Sequence, residues 1–98
     1  MTDPIFHCAG FQWDDGNNNK NFRKHKVSDS ECEEIFFSEP LIRKGPKQRS
    51  EERYYALGRT DSGRYLFIVL TTRANLIRVI SARDMTQSER RQYQKHEK

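Results

Sequence analysis

The second half of the chain holds the residues best suited to chemistry. Of the eleven basic residues between positions 49 and 98, nine are arginine: Arg49, Arg53, Arg59, Arg64, Arg73, Arg78, Arg83, Arg90 and Arg91. A guanidinium stays charged and grips phosphate through parallel N–H donors, so this concentration points to an anionic partner, most simply a nucleic acid. Taken singly, each arginine reads more readily as a solvated strand or helix charge. Glu51 and Glu52 stand beside Arg53. A carboxylate among arginines stays ionised and accepts a proton only weakly unless it is desolvated, so this pair also reads as surface ion pairing. Lys24-His25-Lys26 either places favourable positive charge at a helix C-terminus or faces a substrate phosphate, and an imidazole suits proton transfer near neutral pH. Trp13 reads as a core aromatic before a base-stacking platform, and Tyr93 as a helix anchor or a substrate contact. His7, His25 and His96 lack metal-ligand spacing, and Cys8 and Cys32 form no Cys-x-x-Cys pair, so neither a metal site nor a disulfide framework is expected.

These groups must be positioned by a small scaffold. Ninety-eight residues predict one domain over 1–98. Charge is divided unevenly, with −1 over residues 1–48 and +5 over 49–98. The hydrophobic share of 34% and mean hydropathy of −1.03 are low, yet six Phe, four Tyr and one Trp supply bulky side chains for a core. No apolar run approaches the roughly 20 residues needed to cross a bilayer; the longest, Tyr65 to Leu70, has the length of a strand. The first residues lack the pattern of a secretory signal, so a cytoplasmic address and no membrane partner are expected.

Ile5 to Trp13 reads as an irregular first strand or hairpin arm. Asp14 offers an N-cap for a helix through His25, although Gly16-Asn17-Asn18-Asn19 is poor helix material. Ser28-Asp29-Ser30-Glu31 has the capping-box spacing and opens a second helix, with Cys32, Ile35 and Phe36 on one face and Pro40 beyond its end. Leu41 to Ser50 reads as a basic, mobile connector. Three strand-like runs follow, Glu52 to Arg59, Arg64 to Arg73 and Leu76 to Arg83, joined by Thr60-Asp61-Ser62-Gly63 and Ala74-Asn75 as an antiparallel meander. Strict alternation along the last run groups Arg78 with Leu76, Ile80 and Ala82, and sets Ser81 and Arg83 opposite with Ile77 and Val79; a bulge would change that grouping. Thr86-Gln87-Ser88-Glu89 repeats the capping box and opens a C-terminal helix. The expected class is α+β, an antiparallel sheet with two helices after the first strand and a C-terminal helix, all on one face, leaving the other free to bind.

Several stretches, taken in order, resemble the BrnT family of toxins from Phe11 to about Tyr93. They are Phe11-x-Trp13-Asp14, Asn21-x-x-Lys24-His25-x-Val27-Ser28, Glu31 with Ile35-Phe36, Glu51-Glu52-Arg53-Tyr54, Gly58-Arg59, Gly63-Arg64, Thr72-Arg73, Arg78, Ile80-Ser81-Ala82-Arg83 and Glu89-Arg90-x-x-Tyr93. Two positions depart from the pattern: Asn17 stands where a lysine is expected and Asp29 where an aromatic is. The resemblance implies a RelE-like fold and a bacterial type II toxin-antitoxin endoribonuclease of the mRNA-interferase type, acting on RNA without metal or other cofactor. It also implies a BrnA-type DNA-binding antitoxin as partner, with operator DNA reached only through that complex. The implied chemistry is attack of a ribose 2′-hydroxyl on the adjacent phosphate. Carried onto this chain, Glu52 or His25 is the candidate base, Arg64 and Arg83 the phosphate stabilisers, Lys24 a further cation, and Arg53, Arg73 and Tyr93 the RNA contacts. The competing expectation from the residues alone is a non-catalytic nucleic-acid-binding or regulatory module using the same basic face.

Overall fold

The computed structural model describes residues 8–97. The elements run β1 (Gly10–Phe11), α1 (Lys20–His25), α2 (Asp29–Phe36), β2 (Leu41–Lys44), β3 (Tyr54–Arg59), β4 (Tyr65–Arg73), β5 (Leu76–Asp84) and α3 (Gln87–Glu97). The five strands form one sheet in the order β1-β5-β4-β3-β2, so the α+β expectation holds. Among the described residues no helix is long and apolar enough to cross a membrane.

The meander β3-β4-β5 is antiparallel, as its alternation and short joints predict. Ala74 and Asn75 form the second joint with left-handed backbones, φ 50° and 63°, the geometry that matches the twist of a tight hairpin. The wholly antiparallel sheet is corrected at its edge: β1 runs parallel to β5, pairing Gly10 with Leu76 and Phe11 with Ile77. The chain enters beside its last strand rather than its second. Of the expected first strand only these two residues pair; Ile5, Phe6 and His7 lie outside the described residues.

The Leu41–Ser50 stretch is likewise not a loose connector. Leu41–Lys44 pair with Leu57–Tyr54 as the far edge strand, and the hairpin continues outward through Gly45 N–H to Arg53 O (2.8 Å) and a Gln48–Glu51 bridge. Charge along the stretch leaves an apolar run of only two adjacent residues, Leu41 and Ile42, too short to read as a strand. Lysine and arginine on an edge strand also discourage further pairing.

Helix α1 begins at Lys20, not Asp14. The Asp14 carboxylate turns back to accept Gly16 N–H (2.9 Å), and Asp14 O accepts Asn17 and Asn18 N–H. This local alternative outcompetes helix in a Gly-Asn-Asn-Asn run. Asn17 is buried and donates to Val79 O (3.1 Å) and Gln12 O (3.0 Å); Asn21, also buried, accepts Ala82 N–H (3.0 Å). The two side chains satisfy backbone groups of β5 beyond the point where β1 ends, which closes an otherwise open edge. The departure at position 17 thus has a structural role, and Asp29 accepts Asn19 N–H (3.2 Å) to link the start of α2 to that of α1.

Helix α2 starts as its capping box predicts. Ser28 Oγ accepts Glu31 N–H, and Glu31 Oε1 accepts Ser28 N–H. Cys32 and Ile35 are buried against Ala56, Leu66, Ile68, Leu70, Ile77, Val79 and Ala82, with Val27 and Tyr54 completing the core and Phe11, Trp13 and Phe36 packed on its margin. Each such fully buried aliphatic stabilises by about 1.5–3 kcal/mol. Burial pushes the Cys32 thiol up to about 12, so it is inert at neutral pH. Trp13 is a core-margin aromatic whose Nε1 donates to Glu33 (2.7 Å).

The register of β4 against β5 slips once: Val69 faces Ser81 and Leu70 faces Val79, leaving Ile80 as the bulged residue. Buried Ile77 and Val79 precede it and buried Ala82 follows. The strict-alternation grouping is therefore corrected, because the extra residue inverts which parity faces the core. The second sheet face is not wholly free either. Helix α3, opened by Thr86 Oγ1 accepting Glu89 N–H (3.2 Å), lies over one end of it and buries Leu57 and Tyr93.

Candidate nucleic-acid interface

Away from the core helices, the sheet register builds rows of side chains across the second face. One row is Leu41, Leu57, Phe67 and Arg83; the next is Arg43, Tyr55, Val69 and Ser81. Tyr55 and Phe67 lie with ring centres 5.3 Å apart, and the Arg83 guanidinium rests 4.3 Å above Phe67. An aromatic floor with a stacked guanidinium can take a base on the rings and a phosphate on the cation. The bulge at Ile80 is what brings Arg83 to this face, opposite Phe67.

Arg83 is held in place. Its Nη1 and Nη2 meet both oxygens of Glu89 (2.8 and 2.9 Å), and Nη1 also donates to Asp84 O (3.0 Å). The pair raises the Arg83 pKa and holds Glu89 below the usual carboxylate range. Glu89 also caps α3 by accepting Thr86 N–H (2.9 Å). At the same end of the sheet, Arg64 spends its whole fork within the protein. Nε and Nη2 meet Asp84 (2.7 and 3.2 Å), Nη1 reaches Lys26 O (2.6 Å) and Glu31 (3.4 Å), and Nη2 reaches His25 O (3.1 Å). Arg64 therefore caps the C-terminus of α1, where carbonyls lack intrahelical partners. Lys24 and His25 are exposed on the last turn of that helix, and the His25 ring is near enough to Asp84 to help lower its pKa after the dominant bond from Arg64.

The remaining candidates lie elsewhere. Glu51 accepts from Arg73 Nε and Nη2 (3.1 and 3.0 Å), with Arg53 Nη2 at 4.0 Å. Glu52 is tied to Lys44 (3.1 Å) and Lys47 (3.5 Å), and the Lys44 bond is the main cause of its lowered pKa. These groups sit where β3 begins and β4 ends, whereas Arg64 and Arg83 sit at the other end of both strands. Nine residues of β4 separate the ends by about 25 Å. The structure thus brings His25 and Arg64 together around the Asp84 carboxylate, sets Arg83 at the same end of the sheet but on its other face, groups Glu52, Arg53 and Arg73 at the opposite end, and leaves Tyr93 in neither. Tyr93 is 3% exposed and meets Tyr65 edge-on at 6.0 Å, a packing anchor of α3.

Sequence reasoning overlooked Asp84, Glu89, Tyr55, Phe67 and Arg43. Glu89 had a usable signal, since the third residue of a capping box carries its side chain back toward the preceding strand. The Phe67–Arg83 stack had none, because it depends on the bulge. Residues 13–89 match the family profile described as "Ribonuclease toxin, BrnT, of type II toxin-antitoxin system". A comparison with curated proteins finds no match.

Proposed function

The chain belongs to the BrnT family of ribonuclease toxins of type II toxin-antitoxin systems, and from that premise we propose a RelE-like, metal-independent endoribonuclease of the mRNA-interferase type. An antitoxin partner and an RNA substrate come with the family; the partner is a BrnA-type DNA-binding antitoxin, through which alone the complex reaches operator DNA in the cytoplasm. The observation that carries the reading is the Arg83–Phe67–Tyr55 stack on the second sheet face. A single strand laid there has rings for its bases and a fixed cation for the scissile phosphate.

The reaction is attack of the 2′ oxygen on the adjacent phosphorus. Its proton passes to the His25 ring, the bond to the 5′ oxygen breaks, and that oxygen takes a proton from Lys24. The products are a 2′,3′-cyclic phosphate and a 5′-hydroxyl. Arg83 balances the charge that builds on the non-bridging oxygens, the step at which a preorganised cation is most effective. His25 is favoured over Glu52 as base because it shares an end of the sheet with Arg83, although on the α1 side of Asp84, so the strand crosses that end of the sheet to reach both; Glu52 is ion-paired at the other end. Arg64 acts as a positioning residue through His25 O and Asp84, and Arg53 and Arg73 are RNA contacts.

The test is purified protein with labelled single-stranded RNA in EDTA, beside Arg83→Ala and His25→Ala. Cleavage to cyclic-phosphate ends, lost in both variants, is expected. Cleavage that needs added divalent metal would overturn metal independence. Binding without turnover would instead support the non-catalytic nucleic-acid-binding module.

A further inference from the structure

The hairpin beyond β2 and β3 ends in a two-residue turn. Gln48 and Glu51 exchange both backbone bonds (3.1 and 2.8 Å), and the central residues Arg49 and Ser50 both have left-handed backbones, φ 50° and 66°. Asparagine and glycine adopt this turn most easily, so an Arg-Ser pair carries backbone strain. The turn sets Arg49 beside Arg53 and Arg73, and with Gln48 and Glu51 they line a recess of about 360 Å³.

Three arginines and one carboxylate line the recess. Glu51 satisfies Arg73 through Oε2, and its other oxygen is 4.0 Å from Arg53 Nη2. Arg53 Nε is buried with no hydrogen-bond partner. Arg49 makes no side-chain hydrogen bond or ion pair among the described residues. A planar carboxylate tethered to the chain serves one fork; a tetrahedral anion with several acceptor oxygens can serve three.

We propose that this recess is a phosphate subsite, and that Glu51 is an internal placeholder which an incoming phosphate displaces from Arg73. Arg73 lies six residues along β4 from Phe67, about 20 Å away, so the phosphate it takes is not the one cleaved beside Arg83. Resting on the RNA reading of the second face, the ligand is a phosphate group of the same strand, either an internal diester or a 5′-terminal monoester. A placeholder keeps Arg73 paired and aligned when no strand is bound.

The experiment is titration of the full chain with inorganic phosphate, followed by the Nε–Hε resonances of its arginines, and in parallel with an uncleavable 2′-deoxy-substituted oligonucleotide. Saturable movement of the Arg53 resonance is expected at millimolar phosphate. Glu51→Gln is expected to tighten phosphate and oligonucleotide binding about three- to tenfold, and Arg49→Ala, a change on an exposed turn, to weaken both. No movement at Arg53, or weaker binding in Glu51→Gln, overturns the proposal. Phosphate binding that persists while the oligonucleotide does not bind keeps the subsite and removes the RNA reading. Tighter binding only for a 5′-phosphorylated oligonucleotide identifies the monoester; equal binding identifies the diester.

Discussion

Arg64 and Asp84 meet through two parallel contacts, Nε to Oδ1 at 2.7 Å and Nη2 to Oδ2 at 3.2 Å, while the same guanidinium closes the last carbonyls of α1 at His25 and Lys26. One side chain thus joins the ends of β4 and β5 to the segment carrying Lys24 and His25. An arginine that the sequence offers for phosphate has its donors committed to the fold.

Arg64→Ala should therefore act on stability first. Losing charge-assisted bonds to two helix carbonyls and a carboxylate is expected to cost roughly 1–3 kcal/mol, a fall in Tm of about 5–20 °C for a chain of this size. Arg83→Ala, which breaks a partly exposed pair, should lower Tm by only a few degrees, on the order of 1 kcal/mol or less, while removing cleavage. Thermal unfolding by circular dichroism separates them; an unchanged Tm in Arg64→Ala would show that the clamp contributes nothing.

Acid should weaken the fold through the same pairs. Asp84 is held below the ordinary carboxylate range mainly by the hydrogen bond from Arg64, and Glu89 mainly by that from Arg83. In the unfolded chain both regain values of about 4, so below roughly pH 5 the unfolded state binds more protons and stability drops as pH falls. Above that range the contribution is fully present. Urea midpoints between pH 7 and pH 3 should show the decline, and Arg64→Ala should make it shallower because Asp84 no longer titrates differently in the two states.

Glu52→Gln should leave RNA cleavage within a few-fold of the parent. Its carboxylate is neutralised by Lys44 and Lys47, which lowers its pKa and makes it a poor proton acceptor. His25→Ala should lower kcat by about 10²–10⁴, the usual worth of a positioned base. Single-turnover cleavage assays of the two variants decide between the carboxylate and the imidazole; the reverse order would move the reaction to the Glu52 end of the sheet.

Gly58→Ala should destabilise without touching either arginine group. A Cβ there would stand 2.7 Å from Ile35 Cβ, where α2 presses on β3. Such overpacking costs about 1–3 kcal/mol, visible as a lower urea midpoint with an unchanged slope.

Much of the scaffold was legible because it is local. The capping boxes at Ser28 and Thr86, the Cys32-Ile35 face of α2 and the short joints of the β3-β4-β5 meander depend on neighbours within a few residues, and all appear where their patterns place them. The family motifs, the arginine-rich second half and the affinity for an anion that it implies are properties of composition and order. What the chain could not reveal by itself depends on contacts distant in sequence. The parallel pairing of β1 with β5 joins residues more than sixty positions apart. The bulge at Ile80 alone decides that Arg83 stacks on Phe67. Arginines alike in sequence part ways only when the fold surrounds them: Arg64 meets helix carbonyls and Asp84 and becomes structural, Arg83 meets an aromatic floor, and Arg53 is left with a buried donor unsatisfied. The residue type fixes the charge, but the partners that tertiary packing brings within about 3 Å fix what that charge is for.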